Sequence, residues 1–132
     1  CSVDLRNPSD SMMRRAEKAL FTYAKKVEKE EGVSIAWRRT AGTPAVRFDP
    51  SVRALIDETT EGLGLRRASI LSGAGHDAQE WSRVCKTAMI FVPGEYDGIS
   101  HNPREFSTPK QCADGVRCLL RAVLALAQEG GE

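Results

Sequence analysis

The stretch Ala68-Ser69-Ile70-Leu71-Ser72-Gly73-Ala74-Gly75-His76-Asp77-Ala78 decides how this chain is read. A short, mostly apolar run at 68–71 predicts a strand, and the residues from Gln79 to Val84 read as a helix. The loop between them is punctuated by Gly73 and Gly75, where backbone N–H groups can approach a ligand with no Cβ in the way. A following helix would direct its positive end at the same place, which suits a carboxylate or a developing oxyanion. On composition alone, a tight strand-to-helix turn explains the loop more simply. Asp77 is a candidate cap for the helix.

Downstream, Thr87 to Val92 is continuously apolar apart from its first residue, as expected of a strand covered on both faces. The residues from Pro93 to Pro103 are expected to be irregular and include a second loop, Gly98-Ile99-Ser100-His101-Asn102-Pro103-Arg104-Glu105. Both loops follow predicted strands, and ligands of open α/β sheets bind beyond the carboxyl ends of strands. His101 is the ligand-type residue of the second loop, although a lone histidine is more often structural than metal-binding. Thr108-Pro109-Lys110-Gln111 is a capping box with proline at the first helical position. The helix it opens is expected to turn Val116, Leu119, Leu120, Val123 and Ala127 inward and to stop before Gly130-Gly131.

Upstream, Asp49-Pro50 opens a helix with Val52, Leu55, Ile56 and Thr59 on one face and a stop near Gly62 or Gly64. Thr40-Ala41-Gly42-Thr43-Pro44 reads as a linker and divides the chain into regions 1–42 and 43–132. In the first region Val3 and Leu5 alternate with polar neighbours as in a strand, and Asn7-Pro8-Ser9-Asp10 is turn chemistry. A long helix then spaces Met13, Ala16, Leu20, Tyr23, Ala24 and Val27 three and four apart, with Arg15, Lys18, Lys25, Glu28 and Lys29 opposite. Gly32 ends it, and Val33, Ile35 and Trp37 alternate as a half-buried strand. The element order predicts a mixed α/β fold in two small subregions.

At 132 residues the chain is long enough to bury a core. Nineteen Lys and Arg against eighteen Asp and Glu leave a net charge of +1, which argues against a general nucleic-acid binder or a polybasic membrane-surface protein. No apolar stretch approaches the ~20 residues of a membrane helix. Cys1, Cys85, Cys112 and Cys118 form no C-x-x-C pair and no framework spacing, so a reducing, cytoplasmic setting is expected. Cys112 and Cys118 read as small buried thiols on the last helix. With His76 and His101 as its two histidines, the chain could complete a zinc site only with several carboxylates or thiolates. It opens on Cys1 rather than methionine, from which a longer parent sequence is expected.

Three segments together carry a family resemblance: Ser72-Gly73-Ala74-Gly75-His76-Asp77-Ala78, then Met89-Ile90-Phe91-Val92-Pro93, then Gly98-Ile99-Ser100-His101-Asn102-Pro103 with Glu105. In order and spacing they resemble the carboxyl-terminal part of the hydantoinase/carbamoylase-type amidases of the M20 group of zinc amidohydrolases. That group includes N-carbamoyl-L-amino-acid hydrolases, allantoate amidohydrolases and β-ureidopropionases. Val3-Asp4-Leu5-Arg6, with the helix and strand that follow, resembles the end of the family's inserted lid, or dimerisation, domain.

The resemblance implies an α/β fold in which 1–42 closes the lid and 43–132 is the last part of the catalytic domain. It implies that His101 contributes a ligand to a two-metal centre of zinc or manganese. Gly75, with Ala74 and His76 beside it, matches the loop that holds substrate, and Arg6 matches the lid arginine that clamps the substrate carboxylate. The implied partners are a small N-carbamoyl or ureido substrate and a second copy bound through the lid, with no nucleic acid and no membrane. The family's other metal ligands, its carboxylate base and its lid histidine and asparagine have no match in this chain, so no catalytic residue is assigned and the chain alone is expected to be inactive. The alternatives are a peptidase or aminoacylase of the same group, or a non-catalytic remnant or dimerisation module.

Overall fold

The structure is a computed structural model that describes residues 1–129. Among these residues the regular elements are helices: α1 (Asp10–Glu31), α2 (Pro50–Gly62), the short α3 (Ala78–Trp81) and α4 (Pro109–Glu129), with a 3-10 turn at Tyr96–Gly98. The chain divides into two compact units, Cys1–Arg47 with Leu71–His76, and Phe48–Ile70 with Asp77–Glu132.

In the first unit α1 begins and ends where its sequence directs. Ser9 caps it by accepting from Met12 N, and Gly32 closes it in the left-handed conformation, with φ 64°. Its covered side is Met13, Glu17, Leu20, Ala24, Val27 and Glu28, while Ala16 and Tyr23, expected inward, are exposed. The chain then doubles back along the helix. Ile35 N donates to the Glu28 carboxylate at 2.8 Å, and Trp37 meets Phe21 edge-on with centroids 4.9 Å apart. Farther back, Arg39 faces Glu17 at 3.8 Å and Ala45 N donates to Asp10 at 2.9 Å. Glu28, expected on the solvated face, is thus turned in, and both Lys25 and the Ile35 N–H hold its carboxyl below the usual range.

In the second unit α2 packs on α4. Asp49 caps α2 through Ser51 N and Val52 N, and Pro50 takes the first turn. Gly64, with φ 66°, follows the helix end, where Gly64 N bonds Glu61 O and Leu65 N bonds Thr60 O. Arg67 reaches back to Asp57 and Glu61, and Arg53 to Ser69, tying the segment after α2 against the helix. The capping box of α4 is reciprocal: Thr108 N donates to Gln111 Oε1 at 2.6 Å, and Gln111 N to Thr108 Oγ1 at 3.2 Å.

On α4 the structure differs from expectation at the inward face and at Cys112. The side of α4 that faces inward is Gly115, Cys118, Ala122 and Ala125, not Val116, Leu119, Leu120, Val123 and Ala127, which are exposed. Both sides of this helix are apolar; the small residues allow close approach to α2, where Thr60 Oγ1 lies 3.2 Å from Cys118 Sγ. Cys112, expected buried, is exposed. The expected stop at Gly130-Gly131 lies outside the described residues.

The predicted strands at 3–6, 33–37, 68–71 and 87–92 do not form a β-ladder among the described residues. A strand is defined by a neighbour that takes its N–H and C=O groups, and side-chain alternation cannot supply one. Here the Thr87 carbonyl oxygen accepts from Asp49 N at 3.0 Å, and Ile35 N donates to the Glu28 carboxylate.

Candidate functional site

Arg6 and the glycine loop come together inside the first unit. The Arg6 guanidinium presents its Nε edge to Asp4, with Nε 3.1 and 3.0 Å from the two carboxylate oxygens and Nη2 2.7 Å from Oδ2. Its Nη1 donates to the Gly73 carbonyl oxygen at 2.6 Å. A guanidinium carries five N–H donors, so one N–H on each terminal nitrogen remains without a described protein partner. Ala74, Gly75 and His76 are exposed beside this contact, and Ser72 Oγ donates to Ala74 O at 3.3 Å. A Cβ built on Gly73 would meet nothing within 4 Å, so the loop surface here is open to an approaching group.

The helix after this loop does not play the expected electrostatic part. α3 is four residues long, too short to align a useful dipole. Asp77 sits at its N-cap position with right-handed helical φ and ψ, and its side chain makes no cap hydrogen bond. A side-chain cap needs extended backbone at that position, and Asp77 does not have it.

The second unit holds His101, exposed, at φ 54°. Left-handed backbone is uncommon outside glycine, and histidine is one of the residue types that tolerates it. The Glu105 side chain accepts from His101 N at 2.8 Å. Glu105 N donates to Asn102 O at 2.9 Å and Arg104 N to Asn102 Oδ1 at 3.0 Å, closing a tight turn. The mouth of the loop is pinned by Glu95 N to Phe106 O at 2.8 Å and Ser107 Oγ to Pro93 O at 2.8 Å. Gln111, the α4 capping residue, also donates to Glu95 Oε1 at 2.9 Å, so the helix cap and the loop share one network. The Arg104 guanidinium lies 4.7 Å over the Tyr96 ring.

These residues do not make a metal centre by themselves. Among the described residues no group of three or more His, Cys, Asp or Glu side chains is placed to hold an ion. The Glu105 carboxylate, four positions on, is engaged on the backbone of His101. A catalytic zinc takes about three protein ligands, and this loop offers one imidazole.

Reading the sequence missed two residues with a clear place here. Asp4 lies two positions from Arg6, a spacing that puts both side chains on one face of an extended segment. Glu105 closes the His101 turn from four residues away; in the sequence it counts in the family motif, but no contact is assigned to it.

Comparison with known proteins gives these loops a context. The sequence pattern of Peptidase family M20/M25/M40 matches residues 8–125. The chain is 32% identical over 126 residues to an N-carbamoyl-L-amino acid amidohydrolase of Geobacillus stearothermophilus, covering 96% of this chain and 31% of that protein. It is 28% identical over 126 residues to an allantoate amidohydrolase of Bacillus subtilis, covering 96% of this chain and 30% of that one. A solved hydantoinase/carbamoylase family amidase from Burkholderia multivorans superposes with a TM-score of 0.83 at 34% identity, covering 90% of this chain and 29% of its own. The chain therefore spans about three tenths of the length of the relatives it matches.

Proposed function

Because the chain belongs to peptidase family M20/M25/M40, we propose that it is the carboxyl-terminal portion of a metal-dependent amidohydrolase acting on the linear C–N bond of N-carbamoyl amino acids or ureido compounds. In this reading residues 1–42 close the lid and residues 43–132 end the α/β catalytic domain. The segments at 3–6, 33–37, 68–71 and 87–92 become strands by pairing with the rest of the protein. Arg6 grips the substrate carboxylate, and Gly75, Ala74 and His76 line the substrate loop. His101 supplies one ligand to a pair of divalent ions, zinc or manganese, whose other ligands this chain does not provide. The working form is a cytoplasmic homodimer joined through the lid.

The observation that carries this reading is the 2.6 Å hydrogen bond from Arg6 Nη1 to Gly73 O. It brings a guanidinium with a spare N–H on each terminal nitrogen to the edge of an open glycine loop. A planar, permanently charged fork is suited to a carboxylate, and the loop offers backbone groups to the amide end of the same small molecule.

The test is a titration of the isotope-labelled chain with N-carbamoylglycine and with its neutral carboxamide. The expected result is a saturable response of the Arg6 side chain and the 73–76 amides to the carboxylate alone, strongly weakened in Arg6→Lys. Equal responses to both probes, or an Arg6→Lys chain that binds like the parent, would overturn the reading.

A further inference from the structure

The geometry points to Asp4 as a positioning residue that fixes the Arg6 guanidinium so that its terminal edge faces the ligand, making the site selective for planar carboxylates. The inference rests on the carboxylate-gripping role of Arg6 proposed above and assigns a task to a residue outside that role.

An arginine on a surface loop has many rotamers, and an ion pair is a weak reason to choose one. Asp4 and Arg6 are 66% and 62% exposed, so their attraction contributes little to stability. What distinguishes the pair is its shape. Both Asp4 oxygens engage the Nε edge, and the Gly73 carbonyl engages Nη1 from a loop 67 residues away in sequence. Anchors on two sides fix a planar group in both direction and tilt. One N–H on each terminal nitrogen is left over, and a pair of such N–H groups is what a carboxylate takes in a two-point contact.

Asp4 stays ionised in this arrangement. The hydrogen bonds from Arg6 hold its carboxyl below the usual range and raise the guanidinium further. The pair is then nearly neutral from a distance, so it attracts anions in general less than a bare arginine would. Its selectivity comes from geometry at contact. An ordered guanidinium gives up less side-chain freedom when the ligand arrives, and ordering one such side chain costs roughly two- to tenfold in affinity.

Electrostatics and positioning predict opposite signs for the same substitution, which makes the proposal easy to refute. In Asp4→Asn the amide keeps one acceptor and loses the charge and the two-oxygen grip. If Asp4 only adds negative charge beside an anion site, its removal tightens carboxylate binding. If it positions Arg6, the variant binds N-carbamoylglycine about two- to tenfold more weakly while its response to the neutral carboxamide is unchanged. The Arg6 Nε–H signal should also exchange faster with water, and Asp4→Glu, which restores a two-oxygen acceptor, should recover part of the preference. Unchanged or tightened carboxylate binding in Asp4→Asn overturns the positioning role. If Arg6→Lys loses the preference while Asp4→Asn keeps it, the Arg6 reading stands and the Asp4 inference fails. If the parent chain shows no preference at all, both fail together.

Discussion

Asp49 accepts from Ser51 Oγ at 2.5 Å, from Ser51 N at 2.9 Å and from Val52 N at 3.1 Å. The Ser51 hydroxyl, then the Val52 N–H, hold its carboxyl below the ordinary aspartate range. A lowered folded value means the cap's contribution is complete above the unfolded aspartate pKa of about 3.9 and is lost as pH falls through the lowered value. Asp49→Ala should therefore melt a few degrees lower than the parent at pH 7. That gap should narrow once pH falls below the unfolded aspartate value and close only below the lowered folded value, where the parent also loses its cap. Melting curves at pH 7 and pH 3 check this, and an unchanged gap at the two pH values would contradict it. The role of Asp49 is legible in the sequence because proline follows it and fixes the first helical residue. Asp77 has the same side chain before an alanine and caps nothing, because the local backbone there is already helical. Asp4 and Glu105 were not legible: their partners, a guanidinium tied to a distant loop and a left-handed His101 amide, exist only after folding.

At the scale of elements, the ends of α1, α2 and α4 could be read from Ser9, Gly32, Asp49-Pro50 and Thr108-Pro109-Lys110-Gln111, because caps act within a few residues. The inward side of α4 could not, since periodicity locates an apolar face without saying which of two apolar faces meets α2. Gly115 marks the true inner side. A Cβ there would overlap Val92 Cγ1, so the segment ending at Val92 lies against this helix because residue 115 has no side chain. Gly115→Ala gains up to ~1 kcal/mol of helix propensity but drives a methyl into a stiff β-branched neighbour, an overpacking that costs about 1–3 kcal/mol. The net expectation is destabilisation in the parent. With Val92→Ala as background the collision is gone, and the same substitution should become stabilising. A four-member cycle of urea unfolding curves measures the coupling directly, and additive effects would show that Val92 does not seat on Gly115. The strands were the least legible elements for a related reason: the pattern at 87–92 predicts burial on both faces, and a ladder requires partners that the described residues do not provide.

For the whole molecule, the incomplete ligand set predicts that the purified chain carries no stoichiometric zinc and does not hydrolyse N-carbamoyl-L-amino acids, which metal analysis and a product assay would check. No helix among the described residues is long and apolar enough to cross a membrane, and α4 carries an apolar surface. Val116 is 64% exposed and Leu120 56%, while Cys118 and Ala122 on the opposite side are 3% and 4% exposed. Bulky residues on the open side and small ones on the closed side invert the usual order, and each side makes a separate prediction about stability. Leu120→Lys, on the open side, should change the unfolding free energy of the chain by less than about 0.5 kcal/mol and improve its solubility. Ala122→Leu, on the α2 side, should cost about 1–3 kcal/mol because the space there is already filled. Urea unfolding at several protein concentrations compares the two. If Leu120→Lys proves the costlier change, and its cost grows with concentration, the open face is covered in solution by a second copy of the chain. If the cost is small at every concentration, the face is free in this chain and available to the larger protein of which the chain is proposed to be a part.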